Sequence, residues 1–99
     1  MATSSLVFDF DIVKDNLGKV ETIFAKIDNI FYSIKAVYGY IVGYQACYYN
    51  DYDIEIIVNR DIIQVDDNTV EVSVYDGLHK DVRHILELAG YSVIVSNKF

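Results

Sequence analysis

The chain has 99 residues, 53% of them apolar, which suits a single domain over 1–99 with a true core and leaves too little for two. Its formal charge of −7 repels phosphate and counts against nucleic acid as a partner. A lone cysteine, Cys47, excludes an intramolecular disulfide and any thiolate cluster within one chain, and its expected role is that of a small buried hydrophobe.

Proline is absent, so turns must rest on Gly, Asn and Asp. The start, "MATSSLVFDFD", lacks the basic opening of a signal peptide. No apolar run reaches the ~20 residues that span a bilayer. The expected location is therefore inside the cell, away from membranes.

Leu6, Phe8 and Phe10 alternate with polar or smaller neighbours and predict a short strand, with Asp9 or Asp11 capping the next element. Val13, Leu17, Val20, Phe24, Ile27, Phe31 and Ile34 then step by four and three, and Ile23, Ile30 and Val37 widen the stripe. That spacing predicts one amphipathic helix over 11–37, about 40 Å long, with Gly18 in "DNLG" as a possible break.

Residues 38–53, "YGYIVGYQACYYNDYD", hold six of the nine tyrosines. Gly39 and Gly43 disfavour a helix here, so a strand over 40–49 is expected. Further strands are expected at 52–58, 62–65 and 69–75, where Val70, Val72 and Val74 alternate with polar residues. A second helix over 77–89, capped by Asp76, presents Leu78, Val82, Ile85 and Leu86 on one side, with His84 nearer that side than His79. A last strand covers 91–96. The expected class is α+β: a mostly antiparallel sheet of four to six strands with two helices on one face. The order is β-α-β-β-β-β-α-β, a ferredoxin-like variant or a new arrangement of the same parts.

Chemistry-bearing motifs are scarce. Residues 50–76 carry eight acids against Arg60 alone, and Asp51, Asp53, Glu55, Asp66, Asp67 and Glu71 form the expected acidic patch. Asp51 and Asp53 ahead of an apolar strand look like the metal-binding strand of nucleotidyltransferases. The serine after the upstream glycine and the flanking bases of that family are missing here, and acids on a turn and an outer strand face are the expected reading. His79 and His84 are five apart, about 140° of helix rotation, so they make no i, i+4 metal pair. No phosphate loop or nucleophile elbow is present. The reading is a non-enzyme with no metal and no cofactor.

The tyrosines need both cover and hydrogen-bond partners, which a half-buried interface supplies. The expected interface is Tyr40, Tyr44 and Tyr48, backed by Phe24 and Phe31, in a homodimer. Another protein is the second expected partner. The rival functions are an acidic decoy that imitates nucleic-acid phosphates to block a nucleic-acid-binding protein, and a metal-dependent nucleotidyl enzyme at Asp51 and Asp53.

The stretches "IFAKIDNIFYSIKAVYGYIVGYQACYY" and "DIEIIVNRDIIQV", in a proline-free chain rich in Ile, Val and Tyr, resemble the small orphan proteins of filamentous viruses of hyperthermophilic archaea, the lipothrixviruses and rudiviruses. The resemblance implies a small, thermostable viral protein, which sets its expected place in the host cytoplasm and makes a host protein the expected second partner or decoy target, and it transfers no site residue.

Overall fold

The structure is a computed structural model, and it describes residues 7–49, 54–59, 62–73 and 78–96, with the backbone course alone at 49 and 54–59. Among these residues the chain forms eight strands and one helix. The strands are β1 (Phe8–Lys14), β2 (Val20–Ile27), β3 (Ile30–Val37), β4 (Tyr40–Tyr49), β5 (Ile54–Asn59), β6 (Ile62–Asp66), β7 (Thr69–Ser73) and β8 (Ser92–Ser96); the helix is α1 (Leu78–Leu88).

The long helix expected over 11–37 does not form. That segment holds most of β1 and all of β2 and β3. Ile23, Ala25 and Ile27 are buried from β2, and Tyr32, Ile34 and Ala36 from β3, each at period two. Phe24 and Phe31, between them, are exposed on the other face. The four-three stripe therefore drew its members from both faces of a sheet: Ile27 and Ile34 point in, while Phe24 and Phe31 point out. Apolar residues on both faces erase the alternation that marks a strand in sequence.

The turns confirm the change of element. Ile27 pairs with Ile30 across Asp28 and Asn29, and Asp28 has φ 53°. Val37 pairs with Tyr40 across Tyr38 and Gly39, at φ 51° and 82°, the double left-handed conformation of a tight primed hairpin. "DNLG" is a hairpin loop and not a helix end: Asp15 Oδ1 accepts the Lys19 and Val20 N–H groups at 2.7 and 3.2 Å.

β1 to β5 form one antiparallel meander in chain order. A second sheet has the order β6-β7-β8, with β7 and β8 parallel and α1 between them in sequence. The expected single sheet under two helices is thus replaced by two sheets and one helix, and the fold is mostly β. The strands read from the later sequence do occur, as β4 to β8, with residues 52–53 and 74–75 of the expected spans, Val74 among them, outside the described residues, and the expected helix over 77–89 is α1. Asp76, its expected cap, lies outside the described residues, as does Leu6. Asp9 caps no helix; it sits at φ 55° in a bulge, where one extra residue separates the Phe8–Lys26 pair from the Asp11–Phe24 pair.

One apolar cluster joins both sheets and the helix. Ile27, Tyr32, Ile34 and Ala46 come from the large sheet, Val70 and Val72 from the small one, and Val82, Ile85 and Leu86 from α1. Each large aliphatic group so buried contributes roughly 1.5–3 kcal/mol. Two polar contacts fix the layers. The Tyr32 hydroxyl donates to Asp81 Oδ2 at 2.6 Å, pinning β3 to α1. The Ile41 N–H donates to Gln64 Oε1 at 2.6 Å, tying β4 to β6.

Candidate binding face

The two faces of the large sheet differ. The inner face packs into the core. The outer face has no layer over it among the described residues, and the strand register sets out its side chains in cross-strand rows. One row runs Phe8, Lys26, Phe31, Cys47. The next runs Asp11, Phe24, Ser33, Gln45, and the third Val13, Thr22, Lys35, Gly43. Directly opposed residues share a face, so these rows are neighbours in space.

Phe8, Phe24 and Phe31 are 53%, 41% and 43% exposed. The Lys26 Nζ lies 5.3 Å from the Phe31 ring centroid, within reach of a cation–π contact. Lys26 thus stands between two rings, with its register partners Phe8 and Phe31 on either side. Beside Phe24 lies a shallow depression of about 350 Å³, lined by Thr22, Ser33, Lys35, Val42, Gly43 and Gln45. It forms where β4 carries one extra residue, a bulge between the Lys35–Gly43 and Ala36–Ile41 pairs. The described charges on the strands of this face are Lys26, Lys35 and Asp11, with Asp15 just beyond β1 opposite Val20, its Oδ1 accepting the Lys19 and Val20 N–H groups. Asp11 is partly occupied, because its Oδ1 accepts the neighbouring Ile12 N–H at 2.9 Å.

The same bulge breaks up the expected tyrosine interface. Tyr44, opposite Ile34, is buried on the inner face at 5% exposure. Tyr48, opposite Ile30, is also on the inner face but near its margin and partly exposed. Tyr40 lies across the bulge, opposite Val37 and exposed. The three do not make one surface. Phe24 and Phe31, expected to back them, face away from Tyr44 and Tyr48 and share the outer face with Tyr40. Cys47, expected in the core, is half-buried on the outer face, where Gln45 Nε2 donates weakly to its Sγ at 3.9 Å.

The acidic residues are also dispersed. Asp66 and Asp67 are exposed at the β6–β7 turn. Asp66 is held below the usual carboxylate range, first by the Thr69 hydroxyl and then by the Asn68 N–H, which donates to Asp66 Oδ1 at 3.1 Å. Glu71 is half-buried on β7, between its register partners Ile63 and Ile94. Glu55 falls on β5 opposite Tyr48. Asp51 and Asp53 lie outside the described residues. Among the described residues no group of three or more His, Cys, Asp or Glu is placed to hold a metal ion.

On α1 the expected order of the histidines is reversed. His79 is half-buried, with Nδ1 removed from solvent and lacking a hydrogen-bond partner, while His84 is exposed. Arg83 Nε and Glu87 Oε2 form the expected exposed i, i+4 ion pair at 3.3 Å. No described helix is long and apolar enough to cross a membrane.

The residues that sequence reasoning missed are Lys26 and Lys35. Their signal was present: Lys26 lies two residues from Phe24 and Lys35 four from Phe31, the even spacing of one strand face. Comparison with protein families, with curated proteins and with solved structures finds no match.

Proposed function

We propose that the chain is a non-catalytic interaction protein whose working surface is the outer face of the five-stranded sheet. One observation carries this reading: three phenylalanines stand half-exposed on adjacent strands, on a sheet whose other face is already covered by the core. Scattered single apolar residues on a surface are ordinary, but a contiguous set on an open sheet marks a contact surface. The resemblance to orphan proteins of archaeal filamentous viruses supports a role in an infected archaeal cell.

A twofold homodimer is the simplest assembly of such a face, because the same patch serves both copies. Sheets pack face to face about 10 Å apart in this way within many domains. Five strands at ~4.8 Å and eight residues at ~3.3 Å give a footprint of roughly 600 Å² per copy. The total of about 1,200 Å² is at the lower edge of specific interfaces, so the dimer should be weak and concentration-dependent. Lys26 and Lys35 of each copy would oppose it, and added salt should strengthen it by screening them. The acidic-decoy reading has less support, since Asp66 and Asp67 share one turn while Glu71 is flanked by Ile63 and Ile94.

Sedimentation over a wide concentration range tests the dimer. The wild type should show a monomer–dimer equilibrium that Phe31→Asp abolishes without loss of the far-UV CD spectrum. A wild type that stays monomeric at high concentration and in high salt would rule out self-association through this face.

A further inference from the structure

We infer that the outer face of the large sheet binds single-stranded nucleic acid, with bases stacking on Phe24 and Phe31 and phosphates taken by Lys26 and Lys35. The inference rests on the reading of this face as the working surface and names its occupant. The first support is local charge. The molecule is strongly acidic, yet the described strands of this face carry two lysines against Asp11, and Asp15 at its edge is turned into the β1–β2 loop by the Lys19 and Val20 N–H groups. An anionic partner is therefore favoured here over a second copy bearing the same lysines.

The second support is the combination of groups. An open antiparallel sheet face with aromatic rings on adjacent strands offers stacking platforms to unpaired bases, whose π-faces every ring can meet. Phe24 and Phe31 are diagonal neighbours across β2 and β3. Lys26 and Lys35 lie in the rows on either side of the Phe24 row. By register their Cα atoms are roughly 14 Å apart, from ~3.3 Å per residue and ~4.8 Å between strands. Thr22, Ser33 and Gln45 line the depression next to Phe24 and supply the hydrogen-bonding groups that base edges need. The chain's net charge does oppose approach from a distance. At physiological salt a charge more than ~8 Å away is largely screened, so the local balance of two lysines against Asp11 decides the sign.

Fluorescence anisotropy of labelled oligo-dT and oligo-U tests the inference. Sedimentation of the same variants and an acidic peptide serve as the other arms. The wild type should bind the oligonucleotides. Phe24→Ala and Phe31→Ala should each weaken binding between about fivefold and about a hundredfold. Lys26→Ala should lower the log–log salt slope by roughly 0.7, the share of one phosphate on a single strand. CD melts of these exposed-face variants guard against loss of fold. Binding that survives Phe24→Ala/Phe31→Ala overturns the inference. So does a face that takes the acidic peptide or a second copy but no oligonucleotide, although the working-surface reading then stands. If none of the three occupants responds to these substitutions, both readings fall.

Discussion

Tyr44→Asp should leave the protein unfolded, not merely dissociated. Tyr44 lies at 5% exposure on the inner face of the large sheet, opposite Ile34, which is fully buried. A carboxylate at that depth either stays ionised, at a cost of several kcal/mol, or takes up a proton at a similar cost near neutral pH. The ring's packing is lost as well. A domain of this size has about 5–15 kcal/mol to lose, so the sum should consume most of it. Far-UV CD and urea titration check this. A variant with wild-type melting would mean that Tyr44 is open to solvent and that the tyrosine stretch is a surface after all.

The second large effect is expected at Tyr32. Its hydroxyl donates to Asp81 Oδ2 at 2.6 Å, and the ring is 1% exposed. Tyr32→Phe removes the donor and leaves a half-buried carboxylate one partner short, which should cost about 1.5–3 kcal/mol at neutral pH. The pH dependence carries the more specific signature. Burial, and then the hydrogen bond to Asp81 and its negative charge, push the Tyr32 hydroxyl well above its ordinary range. The folded state therefore keeps a proton that the unfolded chain releases near pH 10. This contribution is complete below about pH 10 and is lost as pH rises through and beyond that value. Tyr91, raised by burial and by Glu21, acts with the same sign. Thermal melts should then show a wild type that loses stability in alkali, and a Tyr32→Phe variant that is less stable at neutral pH but has a flatter alkaline limb. Parallel limbs would show that Tyr32 ionises freely in the native state.

Much of the later half was legible in the sequence because its strands alternate. Val70 and Val72 face in from β7 while Glu71 faces out, and α1 buries Leu78, Val82, Ile85 and Leu86 at helical spacing. The first forty residues misled for a physical reason. Phe24 and Phe31 are apolar on the outer face, and together with Ile27 and Ile34 on the inner face they imitate a period of 3.5. The hairpin signals were weak, because Asp28-Asn29 and Tyr38-Gly39 are not the usual Asn-Gly pair, although Asp28 and Tyr38 both adopt positive φ. The tyrosine reading failed because Tyr44 is buried and because the three tyrosines do not share one face. β4 does run over 40–49, but its bulge moves Tyr40 to the face opposite Tyr44 and Tyr48. A bulge is set by the register against β3 and leaves little local trace. The candidate face was half legible: Phe24 and Phe31 were singled out, while the lysines that flank them were averaged into a neutral segment.

The central claim is that the phenylalanine face is open and that Tyr44 belongs to the core. A side-by-side comparison of Phe31→Asp and Tyr44→Asp by CD melting tests it most directly. Both variants place the same charge on neighbouring strands, one on each face of the sheet. The fold predicts that Phe31→Asp melts within about 0.5 kcal/mol of the monomeric wild type, as a surface change should, while Tyr44→Asp shows no cooperative transition. The reverse result, a stable Tyr44→Asp and an unfolded Phe31→Asp, would contradict it by exchanging the two faces.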